Sequence, residues 1–95
     1  MREYKRNKLD IIFNILEITM TPAKKTHILY RANINFYQLT KYLDFLLRLE
    51  MVEEIEHPRR YRITEKGKQV LNLFNLIGDG SVKGGYQTIE TAALQ

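Results

Sequence analysis

The sequence predicts a mainly α fold carrying one small β-hairpin, and three observations predict it. Four segments repeat apolar residues at helical spacing, and one stretch alternates apolar and polar residues as paired strands do. The third is the balance of the chain: 95 residues, 44% hydrophobic and 27% charged, suit one globular domain with a single core. The absence of cysteine excludes a disulfide framework and a thiolate metal site, and fits a reducing interior. The opening "MREYKRNKLDIIFNILEITM" is basic and then apolar, but Asn14 and Glu17 interrupt it and no small-residue cleavage site follows. It does not read as a signal peptide. No run approaches the roughly 18 apolar residues of a membrane span, so a soluble protein without a membrane partner is expected.

The first helix runs from Lys8 to Thr19. Its polar residues Asp10, Asn14 and Glu17 recur at i, i+4 and i+7 and form one narrow strip. Leu9, Ile12, Phe13 and Leu16 make one apolar stripe, read as the core face. Ile11, Ile15 and Ile18 make a second that one small core would struggle to bury. In "TPAKKTHILYRA", Thr21 is read as an N-cap and Pro22 as the first residue of a short second helix ending near Arg31. Asn33 then supplies the left-handed turn in place of glycine.

Asn35 caps the third helix, "FYQLTKYLDFLLRLE". The period puts Phe36, Leu39, Leu43, Leu46 and Leu47 on the core side, leaving Tyr37, Gln38, Lys41, Asp44 and Arg48 outside. A short helix, a tight turn and a longer amphipathic helix form the pattern in which the second member enters a DNA major groove. There Gln38 can pair with adenine, Lys41 and Arg48 can reach guanine or phosphate, and Tyr37 can meet phosphate or a thymine methyl.

"MVEEIEHPRRYRIT" follows, with Val52 and Ile55 on one limb and Tyr61 and Ile63 alternating with Arg60 and Arg62 on the other. This is a hairpin whose tip, placed at His57 to Arg60, uses Pro58 as first turn residue. A hairpin directly after a reading helix is a wing, so the domain is read as a winged helix-turn-helix: a three-helix core, the wing and a C-terminal fourth helix. The sharp sign change across His57-Pro58 then has a use. Arg59, Arg60 and Arg62 face phosphates or a minor groove, while the preceding acids face away or pair within the hairpin.

Thr64 caps the fourth helix, "EKGKQVLNLFNLI", in which Val70, Leu73, Phe74 and Ile77 are read as the core stripe. Leu71 and Leu76 fall outside it. With Ile11, Ile15 and Ile18 they are assigned to a homodimer interface. Residues 1–77 make the DNA-binding domain, and residues 78–95, opening "GDGSVKGG", make a glycine-rich linker and tail.

The net charge of +4 is segmented. Residues 1–31 carry +4, residues 50–57 carry −4 and residues 58–68 return to +4. Such segmentation is the footprint of a domain that meets a polyanion; Lys24 and Lys25, and Asn35 at the start of the third helix, join the DNA-binding set. An enzyme is not expected: Ser81 stands alone in the linker, His27 and His57 have no acid partner pattern, and neither a phosphate loop nor a metal spacing occurs. No cofactor is implied. A different class of function, a winged helix that binds protein through Tyr37, Tyr42 and Phe45, stays open; Phe45 points away from the core stripe, beside Gln38 and Lys41.

The stretches "AKKTHILYRANINFYQLTKYLDFLLRLEMVEEI" and "YRITEKGKQVL" resemble an archaeal winged helix-turn-helix DNA-binding family. It comprises predicted transcriptional regulators and small dimeric chromatin proteins. The resemblance spans about Lys8 to Ile77 and rests on Lys25-Thr26, Ile28 to Asn33, the Phe36 to Leu43 spacing and Thr64-Glu65-Lys66-Gly67. It implies duplex DNA as ligand, the third helix as reader and Arg59 to Arg62 as wing, hence a cytoplasmic, nucleoid-associated protein. A dimeric regulator is the first expectation and a sequence-independent chromatin protein the second. The chromatin members extend the last helix into a long coiled coil, whereas here Gly78-Asp79-Gly80 is expected to stop it.

Overall fold

The computed structural model describes residues 7–79. In order it contains α1 (Lys8–Ile18), α2 (Lys25–Ala32), α3 (Phe36–Arg48), β1 (Val52–Ile55), β2 (Arg60–Ile63) and α4 (Glu65–Phe74), with a π-helical turn over Asn75–Asp79. Four helices and a two-stranded antiparallel hairpin thus follow one another as expected. No helix among the described residues is long and apolar enough to cross a membrane. Most of the expected tail, residues 80–95, lies outside the described residues, and the π-helical turn runs to Asp79, the last residue described.

Local chemistry sets the ends of the elements. Asn7 opens α1 with a capping box: its side chain accepts from the Asp10 N–H at 2.9 Å, and its own N–H donates to the Asp10 carboxylate at 3.2 Å. Asn33 ends α2 with φ 56°, where the Ile34 N–H reaches the Leu29 carbonyl and the Asn33 N–H reaches that of Tyr30. Glu50 repeats the motif after α3 at φ 61°, with Met51 N–H bonded to Leu46 and Glu50 N–H to Leu47. A left-handed glutamate carries a steric cost that glycine avoids. Glu50→Gly should therefore stabilise the fold by about 0.5–1 kcal/mol once the larger entropy of the unfolded glycine chain is subtracted; a thermal melt that falls instead would contradict this reading.

The start of α2 departs from expectation. Thr21 and Pro22 do not begin the helix, because Ala23 pairs with the hairpin: its N–H bonds to the Tyr61 carbonyl at 3.0 Å, and the Tyr61 N–H returns to the Ala23 carbonyl at 2.8 Å. This backbone exchange holds the segment extended, as does the proline, which disfavours helical geometry at the residue before it. The helix starts three residues later than expected from Pro22, after Lys24, which offers no side-chain cap.

The hairpin register pairs Val52 with Ile63, Glu53 with Arg62, Glu54 with Tyr61 and Ile55 with Arg60. Val52, Tyr61 and Ile63 are buried, while Arg62 faces outward, as the alternation requires. The loop is Glu56 to Arg59, one residue earlier than expected. His57 takes φ 65° before a cis peptide to Pro58, so the proline is the third loop residue and not the first turn position.

The core faces of the helices are rotated from those expected. In α1, Ile11, Ile15 and Leu16 are buried and Ile18 packs against the core, while Leu9 is 56% exposed. The second isoleucine stripe is thus interior to the single chain, because α1 packs against both α2 and α4. In α3, Tyr42 is buried beside Leu39, Leu43 and Leu46, and Phe36 at the helix end is exposed. In α4, Gly67 and Leu71 are buried and Val70 packs on the core, leaving Leu73 and Ile77 in solvent. The assignment of Ile11, Ile15 and Leu71 to a dimer interface is therefore corrected: side chains buried within their own chain leave almost no area for a partner. Leu76 remains 48% exposed.

Gly67 explains the rotation of α4. A Cβ there would run into the Met51 carbonyl oxygen and stand 2.7 Å from Ile63 Cγ1. Thr64 fixes this close approach: its hydroxyl donates to the Glu50 carbonyl at 2.7 Å and accepts from the Gly67 N–H at 3.1 Å, and its own N–H bonds to Met51 at 2.9 Å. The Thr64-x-x-Gly67 pattern thus ties together the end of α3, β1 and the start of α4.

Tyr61 supplies a pH signature. Its ring is 3% exposed and its hydroxyl donates to the Glu54 carboxylate at 3.3 Å. Burial, then the charge of Glu54, push its pKa up from the ordinary tyrosine value. Because the folded value lies above the unfolded one, the folded chain holds the proton more tightly. That contribution is complete below about pH 10 and is lost as pH rises through the folded value. The stability difference between wild type and Tyr61→Phe should accordingly shrink above about pH 10 in urea titrations; a constant difference would refute the assignment.

Candidate nucleic-acid interface

The helix-turn-helix brings two helix N-termini together. Lys24 precedes α2, and the Lys25 ammonium lies 5.4 Å from the ring centroid of Phe36, the first residue of α3. Phe36 is 60% exposed and anchors this lysine from outside the core. One turn into α3, the Lys41 ammonium stands 5.7 Å from the Tyr37 ring and 5.6 Å from that of Tyr42. Lys24, Lys25 and Lys41 form no ion pair among the described residues. Tyr37, Thr40 and Lys41 are exposed together on the outer face. Thr40 is absent from the sequence-derived set, although its place three residues after Tyr37 and four before Asp44 could have included it.

Two side chains expected to read bases are already engaged. Asn35 and Gln38 form a capping box: the Gln38 N–H donates to the Asn35 side-chain oxygen at 2.8 Å, and the Asn35 N–H to the Gln38 carboxamide oxygen at 3.1 Å. Bidentate pairing with adenine uses both ends of a glutamine amide, and here the oxygen is occupied. The Asn-x-x-Gln spacing was the available signal. Arg48 sits 3.6 Å from the Asp44 carboxylate, about 18 Å along the helix from Phe36. It belongs to the far end of α3, not to the N-terminal part that enters a groove.

The wing is close to electrically balanced. Arg62 makes two hydrogen bonds to Glu53, its cross-strand neighbour, from Nε at 2.9 Å and from an Nη at 2.6 Å. Arg59 pairs with Glu56 at 3.2 Å, and the charges of Glu56 and then Glu54 raise its pKa further above the ordinary value. Arg60 has no carboxylate partner among the described residues and donates from Nε to the Pro58 carbonyl at 3.2 Å. The acids before the proline therefore pair within the hairpin, and Arg60 is the wing cation left uncommitted by them.

Comparison with known proteins places this geometry. The sequence model of a family described as winged helix-turn-helix matches residues 5–79. The chain is 34% identical over 70 residues to the uncharacterized protein MJ0287 of Methanocaldococcus jannaschii, covering 73% of this chain and 70% of that one. It is 35% identical over 68 residues to the uncharacterized protein MJ0290 of the same archaeon, covering 70% of this chain but 31% of that longer protein. Among solved structures, Sso10a-2, a DNA-binding protein from Sulfolobus solfataricus, superposes with a TM-score of 0.66 at 30% identity, over 93% of this chain and 94% of that one. A protein of unknown function from Listeria innocua has the same TM-score at 15% identity, covering 88% and 67% of the two chains, a likeness of fold alone.

Proposed function

From the premise that this chain belongs to the winged helix-turn-helix family, we propose that it binds double-stranded DNA. The N-terminal half of α3 lies in the major groove, and Lys24 and Lys25 hold the flanking backbone. The observation that carries this reading is the group of ion-pair-free lysines, Lys24, Lys25 and Lys41, around the exposed start of α3. Lysines free of carboxylates release condensed counterions fully when they meet phosphates. Arg60 extends the contact to the wing, with Arg59 and Arg62 joining where phosphate displaces their acids. The DNA-binding character of Sso10a-2 supports the same ligand.

We further propose a dimeric transcriptional regulator on the nucleoid in the cytoplasm. Leu73, Leu76 and Ile77, 55%, 48% and 68% exposed, replace Ile11, Ile15 and Leu71 as its apolar contact; two-fold pairing would present both reading helices about 34–36 Å apart. A second reading, sequence-independent packaging, gains from the engaged amide of Gln38, which leaves α3 fewer groups able to read bases. Selection from a random duplex pool across a salt series separates the two. An enriched motif with two-fold symmetry marks a regulator; steep salt dependence without enrichment marks packaging. No binding at low salt would refute DNA as the ligand.

A further inference from the structure

Phe45 is 38% exposed and plays no part in the interface described above. It lines a cleft of about 230 Å³ between α1 and α3, together with Ile12 and Tyr42 and with the cations Lys8, Lys41 and Arg48. The aromatic and aliphatic carbons form the floor: Tyr42 is buried in the core and Ile12 packs against it. Lys8, Lys41 and Arg48 are all exposed and stand around that floor. Asp44 neutralises part of the set through its 3.6 Å contact with Arg48. Lys8 and Lys41 have no such partner among the described residues. By contrast, the cleft beside the stacked rings of Phe13 and Phe74 is lined by Asp10 and Glu17.

We propose that this cleft binds a small amphipathic anion, a carboxylate carried on one aromatic ring. A cavity of about 150 Å³ holds a benzene ring, so the volume here suits a ring with a carboxylate and few further atoms. The charges choose among occupants. A second copy of this chain in a two-fold contact would bring the same three cations against themselves. Duplex DNA would satisfy the cations, but with its bases stacked it offers no free ring to fill a floor of Phe45, Ile12 and Tyr42. An aromatic carboxylate satisfies both, with its ring on the floor and its charge at the rim.

Lys41 also belongs to the proposed DNA surface, so an occupant that engages it should weaken DNA binding. That consequence rests on the DNA reading. The binding itself does not, and is tested without DNA by titrating the isotopically labelled protein with benzoate, benzamide and acetate at constant ionic strength. Benzoate should shift the backbone amide signals of Ile12, Tyr42 and Phe45 saturably, with half-saturation at about 0.1–1 mM. Benzamide, which lacks the charge, and acetate, which lacks the ring, should each need at least about tenfold more ligand, as expected when rim and floor both contribute. Phe45→Ala and the pair Lys8→Gln, Lys41→Gln, each checked for an otherwise native spectrum, should weaken benzoate binding by about tenfold. Equal binding of benzamide, shifts mapping to other helices, no saturable shift up to about 20 mM, or unchanged affinity in both variants would each overturn the proposal.

Discussion

Gly67→Ala is expected to destabilise the fold by about 3 kcal/mol or more, lowering the melting temperature by about 12–24 °C for a domain of this size. The added methyl meets backbone, not a pliable side-chain end. The Met51 carbonyl stands in its path and Ile63 Cγ1 lies at 2.7 Å. That same carbonyl accepts the Thr64 N–H at 2.9 Å. Relieving the clash means moving α4 away from Met51 and the end of β2, which pulls on the Thr64 hydroxyl bonds to Glu50 and Gly67 as well. Lys66→Ala, next in sequence but exposed, should stay within about 0.5 kcal/mol. Thermal melts and urea midpoints of both variants decide the matter, and a Gly67→Ala protein melting within about 2 °C of wild type would rule out the close approach as described.

The second large effect concerns DNA. Replacing Lys24, Lys25 and Lys41 together with alanine should lower the slope of log affinity against log salt by about 2.7, from about 0.9 for each phosphate contact. Between 50 and 200 mM salt, that removes about 40-fold of the fall in affinity. Arg59→Ala with Arg62→Ala should do less than half of this, because both guanidinium groups already face carboxylates, at 3.2 Å from Glu56 and 2.6 Å from Glu53. Arg60→Ala should resemble one lysine. Fluorescence anisotropy with a labelled duplex over a salt series provides the comparison. If the paired arginines flatten the slope as much as the three lysines, the wing and not the start of α3 carries the contact.

The order of elements was legible because it depends on local chemistry. Asn33, Asn35 and Thr64 each act at the turn or cap where sequence placed them. What escaped depended on partners distant in the chain. The Thr21-Pro22 start was a sound local signal overridden by pairing with Tyr61, 38 residues beyond Ala23. The inward face of α4 was misjudged because its anchor is Gly67, a residue with no side chain to count. Leu9 and Phe36 lie in the first turn of their helices, where the neighbouring layer no longer covers them, so correct periodicity still gave wrong burial. In the candidate interface the lysines were legible from charge. Pairing of the acids within the hairpin was among the expected arrangements, and Arg62 with Glu53 is an instance of it, whereas the commitment of Gln38 to its cap required a geometry that a simple inventory of outward-facing groups leaves out.

The exchange of two hydrogen bonds between Ala23 and Tyr61 makes the segment before α2 a third, very short strand of the wing. Lys24 is therefore the next residue along from a β-ladder whose other limb carries Arg60 and Arg62. The basic groups on α2 and on the wing are not two independent arms. They are braced against each other by backbone hydrogen bonds, as neighbouring strands are. A ligand that meets one set therefore meets the other at little further cost in ordering. The two hydrogen bonds that keep Ala23 extended thus also fix where Lys24 stands relative to the hairpin.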